Sequence, residues 1–140
     1  MSEFADFIGK DVKKQARNEI LARALVNSSN KGAEHVKKQE INEENAEYIV
    51  AEVYDVIREL IEAKLSLDGY KSYSHEATVL FLKKFPEFKE EDIYFLDNLR
   101  KIRNGIKYYG KGASVNEAEK ALDFMSSILP KLKILVKNVR

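Results

Sequence analysis

Apolar residues recurring three and four positions apart govern what this chain can become. Between Asn42 and Leu65, the residues Ala46, Ile49, Val50, Val53, Ile57, Leu60 and Ile61 fall on one stripe of a helix with 3.6 residues per turn. Asn42 is a natural cap for that helix, with Glu43 and Glu44 favourably placed in its positive first turn. No segment shows a convincing strand-like alternation. A chain with this periodicity from end to end has one economical solution, an all-α antiparallel bundle of about five helices.

The other helices follow from the same pattern and its punctuation. A first helix is expected from about Glu3 to Val26, carrying Phe4, Ile8, Val12, Ala16, Ile20, Leu21, Ala24 and Leu25. The run Asn27 to Gly32 is built from turn formers and reads as a stop, with a short helical piece from Ala33 to Lys38 after it. The long helix ends near Leu65, before a loop around Gly69. Ser74 caps a short third helix with Ala77, Leu80, Phe81 and Phe85, which Pro86 terminates. A fourth helix from near Lys89 buries Ile93, Leu96, Leu99, Ile102 and Ile106 and stops at Gly110. Ser114 and Glu117 form a capping box for a fifth, whose stripe runs from Ala118 to Val139 and which Pro130 should kink. With 140 residues and no internal repeat, residues 1–140 form one domain with room for a continuous core.

Composition removes several function classes. There is no cysteine, which excludes disulfides, thiolate metal sites and cysteine nucleophiles. His35 and His75 are too few for a histidine metal cluster, and no cofactor is implied. No apolar run approaches the roughly 18 residues of a membrane span. The opening MSEFADFIGKDVKK lacks the basic-then-apolar order of a signal peptide, so a cytoplasmic protein is expected.

The net charge of +1 conceals a segregation. Residues 40–62 hold eight acidic side chains against a single base, Arg58. Residues 98–116 hold Arg100, Lys101, Arg103, Lys107 and Lys111 with no acid, and Lys131, Lys133, Lys137 and Arg140 follow Asp123 unopposed. Such a chain can present a basic face to phosphates while staying near neutral overall, although solvated helix faces give the same pattern.

Within the basic stretch, Gly105, four residues, then Gly110 and Lys111 come one letter short of a P-loop. Gly112 stands where the magnesium-binding hydroxyl belongs. Moreover the stretch closes a helix, where outward carbonyls repel phosphate, instead of opening one. The P-loop reading fails.

The same residues carry a different pattern. LRKIRNGIKYYG, at the end of the fourth helix, resembles the signature of HEPN domains, small helical bundles whose motif is an arginine, usually a polar residue, then a histidine, with four to six residues between arginine and histidine. Arg103 matches the arginine and Asn104 the polar follower, but four intervening residues lead to Tyr108 where the histidine belongs. The long second helix and LDGYKSYSHEATVLFL also resemble small prokaryotic members, so the likeness covers most of the chain. It implies a homodimer with both motifs lining one cleft. It also implies either a metal-independent endoribonuclease, with arginine on the phosphate and histidine moving protons, or a non-cleaving nucleotide- or RNA-binding module. Such modules are often paired with a nucleotidyltransferase in toxin–antitoxin systems.

Tyr108 favours the binding module. A free tyrosine is phenolate only about one part in a thousand at pH 7, whereas histidine titrates near neutrality. Arg103 can still clamp a phosphate, and Arg100, Lys107, Tyr109 and Lys111 complete a candidate RNA surface. Two alternatives remain. One is an endoribonuclease using Arg103, with Asn104 beside it and Tyr108 or His75 transferring the proton; the other is a purely structural dimerisation domain. His75 could serve only if the fold brought it to Arg103.

Overall fold

The computed structural model describes residues 2–137. Five helices account for most of it: α1 (Glu19–Lys37), α2 (Ala46–Asp68), α3 (His75–Leu80), α4 (Glu90–Tyr109) and α5 (Val115–Leu135). A two-stranded antiparallel ribbon pairs β1 (Val12–Lys14) with β2 (Tyr70–Ser72). The all-α bundle is therefore as expected, with one small sheet added. Among the described residues no helix is long and apolar enough to cross a membrane.

Helix α2 is the centre. It buries every residue of its predicted stripe and packs on α1, α4 and α5. Its partner α1 runs antiparallel to it: Ser28 meets Glu59, Ser29 meets Val56, and His35 meets Glu52. Helices α4 and α5 are also antiparallel, with Phe95 against Phe124 and Asp92 against Lys131.

The largest departure from expectation lies at the N-terminal end. Residues Glu3 to Val26 are not one helix. Phe4–Phe7 form a 3-10 turn, Gly9 takes φ +90°, and the chain then enters β1. Phe4 and Val12 are buried as expected, but Ile20 is 80% exposed. Helix α1 instead begins after Asn18, whose side chain accepts from the Leu21 N–H at 2.9 Å.

The expected stop at Asn27–Gly32 lies inside α1. Its small polar residues are contact residues. Ser29 is buried and its hydroxyl donates to the Val56 carbonyl at 2.7 Å, while Ser28 donates to Glu59 at 2.6 Å. A Cβ on Gly32 would sit 2.8 Å from the Val56 methyl, so glycine is what lets the two helices approach. Packing has overridden propensity.

Local chemistry read from the sequence holds elsewhere. Asn42 accepts from the N–H groups of Glu44 and Asn45 and so closes a turn, but the helix proper starts one turn later, at Ala46. It extends to Asp68, where Gly69 at φ +84° turns the chain into β2 instead of a loop. Ser74 caps α3, which a 3-10 turn at Phe81–Lys84 extends almost to Pro86. Gly110 closes α4 at φ +65°, and Ser114 with Glu117 makes the reciprocal cap of α5. Helix α5 passes through Pro130 without ending. Val139 and Arg140 lie outside the described residues.

Candidate functional site

Helices α2 and α4 meet the β2–α3 corner around a polar cleft of about 300 Å³. Its lining comprises Arg58 and Glu62 from α2, Ser72 to His75 and Thr78 from the corner, and Arg103, Lys107 and Tyr108 from α4. The fold therefore brings His75 to the cleft of Arg103, although 27 intervening residues separate them in sequence.

Arg103 is only 6% exposed. One terminal nitrogen reaches Asp55 at 3.4 Å, a long contact, and the guanidinium lies 5.6 Å from the Tyr54 ring centroid. Its other terminal nitrogen, Nη1, is buried and has no hydrogen-bond partner among the described residues. Arg58 repeats this arrangement. It pairs with Glu62 four residues on, and its Nε lies 3.5 Å from Asp55, close enough for attraction but making no hydrogen bond. Two guanidinium groups thus share Asp55 and retain unspent donors.

His75 is held from both sides. Ser72 donates to the Ser74 carbonyl at 2.8 Å, Thr78 bonds back to both residues, and Ser74 caps α3 at its first turn. These hydroxyls are occupied in fixing the corner. The Tyr54 hydroxyl lies 3.2 Å from His75 Nδ1. Burial, opposed only in part by nearby arginines, raises the Tyr54 pKa, so its hydroxyl stays protonated; it either donates to Nδ1, with the ring proton on Nε2, or accepts from Nδ1–H, with Nε2 left as the free acceptor. The His75 pKa is lowered, first by burial and then by Arg103 and Arg58, with Asp55 opposing and Arg100 adding slightly. The imidazole is neutral near pH 7.

That shift has a sign. His75 in the unfolded chain takes a proton at about 6.5, and the native state resists it. Below about 6.5 the unfolded state binds more protons than the native state, so stability falls as pH drops through that region. Wild type is expected to lose stability relative to His75→Asn between pH 7.5 and 5.5, measured by urea unfolding at each pH. A difference between the two proteins that does not change with pH would show that His75 titrates normally.

The remaining candidates divide. Tyr108 stands at the cleft mouth, 61% exposed, with the Lys107 ammonium 5.9 Å from its ring centroid. Arg100 lines a different, larger groove between α3 and α4, and its Nε donates to Asp97 at 2.8 Å. Asn104 is half-buried, lies outside the cleft lining, and forms no hydrogen bond with Tyr108 among the described residues. Tyr109 is 76% exposed and also outside it. Lys111 folds back so that its side chain covers Gly105. The basic stretch is thus not one patch. Sequence reasoning missed Tyr54, Asp55, Arg58, Glu62 and Tyr73, of which Arg58 alone carried a signal, as the lone base among eight acids.

Comparisons of the chain with protein-family models, with curated proteins and with solved structures gave no match.

Proposed function

We propose that this chain is a HEPN-type RNA- or nucleotide-binding module that holds a phosphate in the Arg103 cleft without cleaving it. The observation that carries this reading is that, among the described residues, Nη1 of an almost fully buried arginine has no hydrogen-bond partner; it belongs to a residue lining a polar cleft beside a second arginine whose Nε makes no hydrogen bond. A buried donor left unpaired costs about 1–3 kcal/mol, and phosphate is one of the two oxyanions, with carboxylate, that a guanidinium fork fits bidentately. Lys107 at the mouth adds attraction, while Glu62 and Asp55 keep the arginines oriented. On this reading the protein works as a homodimer, alone or with a nucleotidyltransferase partner.

The test is fluorescence anisotropy with a labelled single-stranded RNA. A nucleoside 5′-monophosphate should compete for the site and the unphosphorylated nucleoside should not. Affinity should also fall steeply between 50 and 200 mM salt. Equal competition by nucleoside and nucleotide would sink the phosphate reading.

One observation favours the endoribonuclease reading as well, namely a neutral His75 sharing the cleft with Arg103. A neutral imidazole is the base-competent form. With Nδ1–H donating to the Tyr54 hydroxyl, Nε2 carries the lone pair that takes the 2′-hydroxyl proton as that oxygen attacks phosphorus, and the 5′-oxygen leaves with a proton from solvent or Tyr108. In that case RNA is cut in EDTA, Tyr108→Phe retains much of the activity, and His75→Ala loses about 10²- to 10⁴-fold. Intact RNA after prolonged incubation with wild type supports the non-cleaving module instead.

A further inference from the structure

The β1–β2 ribbon contains an arrangement that folding alone does not favour. Its register sets Val12 opposite Ser72 and Lys14 opposite Tyr70, and Lys13 directly opposite Lys71. Val12 is fully buried, so by alternation Lys13 and Lys71 share the outward face. Like charges directly opposed across a ribbon are destabilising. Among the described residues neither lysine forms an ion pair; instead both ammonium groups lie 5.8 Å from the centroid of the same ring, Tyr73. That distance is near the outer limit of a cation–π contact, so both lysines can swing away. Tyr73 is 66% exposed and also lines the Arg103 cleft. The acids nearby are Asp11, whose carbonyl accepts from the Tyr73 N–H, and Glu62, already paired with Arg58.

We propose that the Lys13–Lys71–Tyr73 face is a second subsite, continuous with the Arg103 cleft, which binds the nucleotide adjoining the one held there. The inference rests on the reading of the cleft as a phosphate site and names its ligand more closely: single-stranded RNA longer than one nucleotide. Tyr73 supplies a stacking surface for an unstacked base, and the two lysines meet the phosphates flanking that base. A duplex keeps its bases stacked on one another and gains nothing from the ring.

The test is anisotropy on the full chain with an eight-nucleotide single-stranded RNA, the same sequence as a duplex, and a nucleoside 5′-monophosphate as competitor. Tyr73→Ala should weaken the single strand by about 5- to 150-fold and the monophosphate by clearly less, with Tyr73→Phe binding as wild type. Lys13→Gln with Lys71→Gln should lower the salt-dependence slope by about 1.4, two contacts at about 0.7 each. Single-strand affinity unchanged in both variants overturns the proposal. So does an equal loss for single strand, duplex and heparin, which would mean attraction for any polyanion. Failure of wild type to bind the monophosphate removes the cleft reading, while a Tyr73→Ala loss on the single strand in that same case sustains the ribbon.

Discussion

Arg103→Met is expected to melt at or above the wild-type temperature and to bind phosphorylated ligands about 10- to 150-fold more weakly. The affinity loss follows from removing charge-assisted hydrogen bonds worth about 1.5–3 kcal/mol. The stability forecast follows from burial. Arg103 is 6% exposed, and among the described residues its one carboxylate contact is 3.4 Å long and Nη1 has no hydrogen-bond partner. Replacing a buried charge that is poorly paired by an apolar side chain of similar length is often neutral or stabilising. Asp55 is not stranded by the change, because it is 40% exposed and still faces Arg58. Arg103→Lys keeps the charge but loses the fork, so it should recover only part of the affinity. A methionine variant that binds as wild type, or that melts several degrees lower with unaltered binding, would make Arg103 a structural residue.

Legibility in the sequence tracked the range of the interactions involved. The α2 stripe, the Ser74 cap, the Ser114–Glu117 box and the glycine at the end of α4 are all settled within a few residues, and each is where the pattern placed it. The interior of α1 depends on a neighbour 27 residues away. Ser29 and Gly32 look like helix breakers until Val56 lies against them. The ribbon was hidden for the same reason, since β1 and β2 are three residues each and pair across more than fifty. In the cleft, Arg103 and Tyr108 came from one helix end and could be seen together. Arg58 could not, though Tyr54 and Arg58 sit four apart on one face of α2 and the charge count had already isolated Arg58. Arg100, three residues before Arg103, shows the converse. Asp97 ties it into another groove, so proximity in sequence did not become proximity at the site.

Phe81→Ala is expected to cost about 3–5 kcal/mol, a large share of the 5–15 kcal/mol that holds a typical domain. Phe81 is fully buried, with ring centroids of Phe4 at 4.9 Å, Phe85 at 5.3 Å and Tyr70 at 6.4 Å. For a chain of this length the melting temperature should fall on the order of 10 °C. Two of those partners flank or belong to the ribbon: Tyr70 opens β2, and Phe4 lies just before β1. The cluster is therefore what presses the short ribbon, too small to be stable alone, onto the bundle. Amide exchange should accelerate more at Val12–Lys14 and Tyr70–Ser72 than along the middle of α2. Phe81→Leu, which keeps most of the apolar volume, should lose less on both counts. Ribbon amides exchanging as in wild type in Phe81→Ala would show that strand pairing holds the Tyr73 face by itself. Selective loss of their protection would place the stability of the proposed second subsite in the aromatic cluster beneath it.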